Sequence, residues 1–235
     1  MHAPVRPPEP IPSELLLLAY RSGIFPMADH RDDPDVYWVE PRERAVIPLE
    51  GFRLSRSLRK TLRQGRFRIS CDEAFGEVIA ACAAPREEHA ESWISHRIEA
   101  SYRMLHLEGA AHSIECWQED DLGQDVLVGG LYGVSFDRVF CGESMFSRAT
   151  DASKAALAAL AATMKRAGFE LLDCQFMTDH LASMGAIPIA QAEYLRRVHI
   201  ARGKPASTLP QAFGSLVGDA SSPGKLIAQS LTQTS

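Results

Sequence analysis

The chain is 235 residues long, 46% hydrophobic and 23% charged, enough to bury a full core in one or two domains of ordinary globular composition. No apolar run, Leu15 to Ala19 among them, approaches the roughly 18 residues a membrane span requires, and Met1 to Pro8 contains no apolar stretch behind a basic end. A cytoplasmic protein is therefore expected, and the net charge of −5 by itself argues against a general nucleic-acid binder.

The first twelve residues hold five prolines and predict an extended or disordered lead. Ser13 reads as the N-cap of a helix over Glu14–Ser22, with Gly23 at its C′ position. Gly23-Ile24-Phe25-Pro26-Met27 opens into a polar loop, His30–Asp35, followed by short strands at Tyr37–Val39 and Ala45–Ile47, so that residues 1–50 form a small N-terminal domain. Ser55 then caps a helix whose Leu54, Leu58 and Leu62 recur every four residues as a narrow buried stripe, and Gly65 ends it. Residues 53–68 carry Arg53, Arg56, Arg59, Lys60, Arg63, Arg66 and Arg68 and no acid; that segment is +7, leaving −5 − 7 = −12 on the rest. Such a run can be simply a solvated face, but these cations repel one another and a phosphate backbone would relieve them, which makes Arg56, Arg59, Lys60 and Arg63 candidate polyanion contacts.

Phe67–Cys71 reads as a strand, Asp72 as the N-cap of a helix to Ala83, and Pro85–Ser92 as a charged loop leading to Trp93. A helix over His96–Glu108 closes at Gly109. Three strands follow, His112–Gln118, Asp125–Ser135 and Arg138–Gly142, joined by polar turns as antiparallel hairpins. Gly129-Gly130 marks a bulge or a close backbone approach to a ligand. Asp151 or Ser153 starts an alanine-rich helix to Ala167, stopped by Gly168; a strand at Phe169–Gln175, a helix at Thr178–Met184 and a last helix at Ala190–Arg202 complete the pattern. Composition beyond Lys204 predicts a flexible tail over 204–235. The order of elements predicts an α/β fold, of the α+β kind with a mixed and largely antiparallel sheet, over residues 51–203.

Within Phe140 to Ser147, Phe-Cys-Gly-Glu-Ser-Met-Phe-Ser, one carboxylate stands among apolar and small residues. Burying it is costly unless it is paired, so Glu143 is either satisfied or works on a ligand. Asp173 and Gln175, two apart on one strand, project to the same face as either a buried network or a substrate-facing pair. Trp38 and Trp93 adjoin loops and serve as packing anchors or, beside a basic element, as platforms for an unpaired base. The five widely spaced cysteines, without C-x-x-C, read as small buried hydrophobes, and the eight histidines show no zinc-ligand spacing. Ser147 to Lys154, where a coenzyme A enzyme would cradle a pyrophosphate on backbone N–H groups, contains no glycine.

Gly23-Ile24-Phe25-Pro26, Ala111-His112-Ser113-Ile114-Glu115, Gly129-Gly130-Leu131-Tyr132-Gly133-Val134, Phe140 to Ser147, Ala152-Ser153-Lys154 and Leu172-Asp173-Cys174-Gln175 stand in order along the chain. With them the sequence resembles the bacterial leucyl/phenylalanyl-tRNA-protein transferases from about Leu15 to Arg202. The resemblance implies a small N-terminal domain joined to a GNAT-like acyltransferase domain. It also implies an enzyme that moves leucine or phenylalanine, less readily methionine, from aminoacyl-tRNA to the α-amino group of proteins beginning with arginine or lysine. The product is marked for the N-degron pathway, and neither metal nor small cofactor takes part; a monomer is expected. By similarity Asp173 accepts the proton or orients the amine, Gln175 relays beside it, and Glu143 holds the acceptor's amine or its cationic side chain. Leu131, Phe140, Leu157, Leu160 and Met164 match the apolar pocket for the donor side chain, and Trp93 matches a tryptophan that contacts the terminal adenosine. Met27 stands where a second such tryptophan is usual, and Leu160 and Met164 where larger aromatics often occur, so the preference among Leu, Phe and Met stays open. Two alternatives are a non-catalytic RNA-binding module, which leaves Glu143, Asp173 and Gln175 idle, and a coenzyme A-dependent small-molecule N-acyltransferase.

Overall fold

The computed structural model describes residues 9–85, 91–218 and 222–232. Helix α1 (Ser13–Arg21) is followed by β1 (Phe25–Met27), β2 (Tyr37–Val39) and β3 (Glu43–Ile47). After α2 (Arg56–Arg63) come β4 (Arg68–Cys71), α3 (Phe75–Ala83) and α4 (His96–Leu107), and then β5 (Ala111–Glu119), β6 (Asp125–Phe136) and β7 (Val139–Ser147). The long helix α5 (Ala152–Ala167) leads to β8 (Leu171–Gln175), α6 (Asp179–Ser183), β9 (Ile187–Ala190) and α7 (Gln191–Ile200), followed by α8 (Leu209–Val217) and α9 (Pro223–Ser230). Among the described residues no helix is long and apolar enough to cross a membrane.

β1 and β2 form a small antiparallel ribbon, and the remaining strands make one seven-stranded mixed sheet in the order β4-β5-β6-β7-β8-β3-β9. Every pairing in it is antiparallel except β7 with β8, which run parallel from Val139↔Leu171 to Cys141↔Asp173. Alternation along the strands sends residues to opposite faces. Ile114, Leu131, Phe140 and Leu172 meet α5, whose alanines allow close approach, together with α2, α8 and α9. Val134, Cys141 and Leu171 meet α1, α3, α4 and α7 on the other face. The fold is thus a mixed α/β arrangement with a small N-terminal part, and β3, near that part in sequence, belongs by pairing to the main sheet.

Several local expectations hold. Ser55 Oγ accepts the Leu58 N–H at 3.1 Å, and Gly168, at φ 78°, ends α5. Others are corrected by competing chemistry. Ser13 is already helical and makes no capping bond, because Pro12 occupies the cap position. Asp72 does not cap α3; at φ 61° it turns its carboxylate back to the Ser113 N–H at 2.7 Å and to His112 Nδ1 at 2.7 Å. The third strand of the meander runs on to Ser147, since β6 is long enough to pair with it from Phe136 to Gly129. Glu143 therefore lies inside a strand. A register shift does fall beside Gly129, but the backbone that approaches it is that of α5: a Cβ there would stand 2.5 Å from Ala152 Cβ.

The largest correction concerns the C-terminus. The segment expected to be a flexible tail folds into α8 and α9, whose Leu209, Ala212, Phe213, Ile227 and Ala228 are buried in the same core as α5 and α2. Its Ser, Thr, Pro and Gly content serves capping: Thr208 and Gln211 form a reciprocal capping box, and Pro210 and Pro223 sit in first turns. At the other end the expected disordered lead lies outside the described residues for 1–8, whereas Ile11 is buried and donates its N–H to Ser101 Oγ at 2.9 Å. The charged loop at Pro85–Ser92 likewise falls outside the described residues over 86–90.

Candidate active site

Beyond Cys141 and Asp173 the parallel pair β7 and β8 parts, and a cavity of about 1110 Å³ opens between the strands. Its lining comes from both faces of the sheet. Leu131, Leu157 and Leu160 contribute from the α5 side; Phe25, Met27, Trp93 and Ala81 contribute from the other; Glu143 and Gln175 stand at the parting itself. The Ala28 N–H donates to the Trp93 carbonyl at 3.2 Å, which ties the Trp93 loop to the end of β1 and brings Met27 and Trp93 onto one wall.

Glu143 is held by side-chain hydrogen bonds. Gln175 Nε2 donates to Oε1 at 2.8 Å, and the Tyr102 hydroxyl donates to Oε2 at 3.1 Å. Tyr102 in turn meets the Tyr20 hydroxyl of α1, and Tyr20 also hydrogen-bonds toward Glu143 itself, so the N-terminal helix reaches the carboxylate both directly and through Tyr102. Burial raises the Glu143 carboxyl from its ordinary value to about 7; the hydrogen bonds from the tyrosines and Gln175 oppose that rise, and the charge of Asp173 adds to it. Burial, together with the Glu143 charge, pushes the Tyr102 and Tyr20 hydroxyls up, keeping them protonated.

Asp173 is fully buried and does not line the cavity. Its Oδ2 pairs with Arg44 Nη2, and its Oδ1 accepts the Gln175 N–H at 2.8 Å. Gln175 has φ 61°, a left-handed conformation that costs a non-glycine residue roughly 1–2 kcal/mol, and the Asp173 bond stabilises it there. Arg44, 1% exposed, has its guanidinium 5.0 Å from the Phe25 ring centroid and 4.4 Å from that of Tyr194. Burial acts to lower the Arg44 pKa, and the Asp173 charge, Tyr194, Cys141 and the Asp173 hydrogen bond together more than offset it. One ion pair thus fastens the Gly23 to Met27 segment, whose Phe25 and Met27 face the cavity, to the strand that carries Gln175.

Of the apolar positions expected to hold a donor side chain, Leu131, Leu157 and Leu160 line the cavity, whereas Phe140 and Met164 lie behind its wall in the core. Arg56, Arg59, Lys60 and Arg63 do not reach it; with Gln64 they surround a separate surface depression of about 310 Å³. Of the seven cations in 53–68, only Arg68 forms ion pairs among the described residues, with Glu73 at 2.8 Å and Asp125 at 2.6 Å. α2 is linked to the cavity region through Thr61 Oγ1, 3.4 Å from Asp151 Oδ2 at the start of α5, whose first turns present Ser153 and Leu157.

Sequence reasoning missed Arg44, Tyr20, Tyr102 and Tyr194. For Arg44 a signal existed: an arginine directly before Ala45-Val46-Ile47 raises the same burial problem that singles out Glu143. His180 belongs with them. It lines the cavity with Nε2 buried and unpartnered, and burial together with Lys154 holds its pKa down. Among the described residues no group of three or more His, Cys, Asp or Glu could hold a metal ion.

Comparison with known proteins identifies the family. Residues 46–199 match the family model described as leucyl/phenylalanyl-tRNA protein transferase, and residues 11–42 match the model of that family's N-terminal domain. The chain is 53% identical to a leucyl/phenylalanyl-tRNA–protein transferase of Novosphingobium aromaticivorans, over 97% of this chain and 98% of that protein. It is 54% identical to one of Rhizorhabdus wittichii over 82% of this chain and 76% of that protein, and 48% identical to one of Phenylobacterium zucineum over 94% and 96%. By its two matched stretches and its identity to these relatives along nearly its full length, the chain belongs to the leucyl/phenylalanyl-tRNA–protein transferase family.

Proposed function

We propose that this protein transfers leucine or phenylalanine from aminoacyl-tRNA to the α-amino group of a protein that begins with arginine or lysine, a step that commits the acceptor to N-degron recognition. The observation that carries the reading is Glu143: a buried carboxylate with its pKa near 7, held by Gln175 and Tyr102, in the lining of a cavity that Trp93 also lines. The aminoacyl ester is already activated, and an α-amine of pKa about 7.7–8.0 is partly neutral at physiological pH, so the protein needs to position two substrates and handle one proton.

In this reading the donor's side chain enters the wall of Leu131, Leu157 and Leu160, and its terminal base lies against Trp93, with Met27 supplying a softer, non-stacking surface on the same wall. The acceptor nitrogen attacks the ester carbonyl; an N–C bond forms, the C–O bond to the ribose breaks, and the amine proton passes through Glu143 to the departing oxygen. A group titrating near the operating pH suits both halves of that exchange. Asp173, committed to Arg44 and to the Gln175 N–H, acts as a positioning residue: it fixes Gln175, and Gln175 fixes Glu143. The parting of a parallel strand pair around the site supports a GNAT-like acyltransferase arrangement, and α2 supplies the phosphate contacts of the donor's acceptor stem.

Incubation with radiolabelled leucyl-tRNA and a peptide starting with arginine is expected to label the peptide, and labelled acetyl-CoA is expected to give none. Label from acetyl-CoA would favour a small-molecule acyltransferase, and label from neither donor an RNA-binding module.

A further inference from the structure

The helix pair α8–α9 lies beyond both stretches matched by the family models, yet it covers the element that carries the basic face. α2 is eight residues long, too short to hold helical form alone, and its cations stand at i, i+3 and i, i+4 spacing, Arg56 to Arg59 and Lys60, Arg59 to Arg63, so each neighbour destabilises the next. Its shape must come from what it packs against. That partner is α9. Gly224 lies so close to the Leu62 carbonyl that a Cβ would stand 2.2 Å from the oxygen, and Ile227 and Ala228 share a buried cluster with Leu58 and Leu62.

α9 is anchored in turn. It packs on α8 and α5, and α8 is tied to the far end of α5 by Arg166, whose Nε and Nη2 donate to Ser215 Oγ at 2.9 and 2.7 Å, and by the Ala206 N–H, which donates to the Ala167 carbonyl at 2.8 Å. At the near end of α5, Thr61 meets Asp151. The basic helix is therefore fixed to α5 twice, directly at one end and through the C-terminal pair at the other, and α5 is the helix that walls the cavity.

We propose that α8–α9 is a positioning device for donor tRNA: α9 sets the height and rotation of α2 so that its cations meet the tRNA phosphates when the aminoacyl end is in the cavity. The proposal rests on the reading of α2 as the phosphate-contacting helix. Gly224 and Ile227 act through α2 and touch neither substrate.

The test compares two donors in the full-length protein, leucyl-tRNA and the minimal donor leucyl-adenosine, each with a peptide starting with arginine. Gly224→Ala adds a Cβ against backbone that cannot yield, and Ile227→Ala trims packing without adding bulk, so the second variant decides if the first does not fold. Both are expected to raise KM for leucyl-tRNA about tenfold, with kcat/KM for leucyl-adenosine unchanged and faster amide exchange confined to α2 and α9. Equal loss with both donors, or no change with either, would overturn the proposal. The combined substitution of Arg56, Arg59 and Lys60 by alanine separates the two layers. If it leaves leucyl-tRNA affinity unchanged, the reading of α2 itself fails; if it weakens affinity while Gly224→Ala and Ile227→Ala do not, only the role of the helix pair fails.

Discussion

Glu143 is ionised at a cost to the fold, and in the proposed reaction that cost lets it exchange a proton near neutral pH. Because its folded-state pKa is raised to about 7, the native state holds the proton more tightly than the unfolded chain does, and stability falls as pH climbs from the ordinary carboxylate range through 7. Glu143→Gln should thus melt higher than the parent protein by a margin that widens from about pH 5 to about pH 8, reaching on the order of 3 kcal/mol. The same variant should lose roughly 10²- to 10⁴-fold in transfer rate, together with the limb of the pH profile near 7. A Glu143→Gln variant that kept the parent's rate and pH limb would remove Glu143 from the proton path. Asp173 obeys different physics. Asp173→Asn leaves the Arg44 guanidinium buried without its counter-charge, a change that typically costs 3–5 kcal/mol, and it also loosens Gln175, so both stability and transfer should fall. Replacing the pair together, Arg44→Met with Asp173→Leu, should restore much of the melting temperature and none of the transfer, measured by thermal unfolding and the peptide-labelling assay side by side. Recovery of transfer would mean that Asp173 contributes nothing through Gln175.

Among elements, those legible in the sequence were the ones whose local signals agree with their packing. The β5–β6–β7 meander, the alanine-rich α5 and the capped α2 each carry periodicity and punctuation that the tertiary structure leaves in force. The rest depended on non-local pairing. β9 has a proline and lies on the sheet edge, and only its register with β3 makes it a strand. α8 and α9 hide behind a composition that also suits disorder, and what orders them is apolar burial against α5 and α2. At the site, the carboxylates Glu143 and Asp173 could be read because charge in an apolar run is conspicuous. Tyr20 and Tyr102 could not, because a tyrosine at a helical core position looks the same whether or not its hydroxyl is used. The Gly129 signal was visible and its cause was not: the backbone approach is made by α5. Gly129→Ala should push the start of α5 outward and cost roughly 1–3 kcal/mol. Since Ser153 and Leu157 ride on that end of α5, KM for the aminoacyl donor should rise as well, and an unchanged melting temperature would mean the strand yields instead.

The whole molecule is acidic and its partner is a polyanion, which makes the placement of charge matter more than its sum. A net charge of −5 divides into +7 on residues 53–68 and −12 elsewhere, so a nucleic acid is repelled by most of the surface and drawn to one side of it. With Arg68 occupied by Glu73 and Asp125, the cations left for phosphates are those on and around α2, and they flank the start of the helix that walls the cavity. In the proposed reading this surface would orient the donor before it docks and bind it by releasing counterions. Affinity for leucyl-tRNA should therefore fall linearly in a plot of log K against log salt concentration. Removing one phosphate-binding cation should lower the slope by a little under one, so alanine at Arg56, Arg59 and Lys60 together should flatten it by about two to three. The same triple variant should leave transfer from leucyl-adenosine intact, because none of the three side chains faces the cavity. A slope that survives the triple substitution would place the phosphate-binding surface on another face.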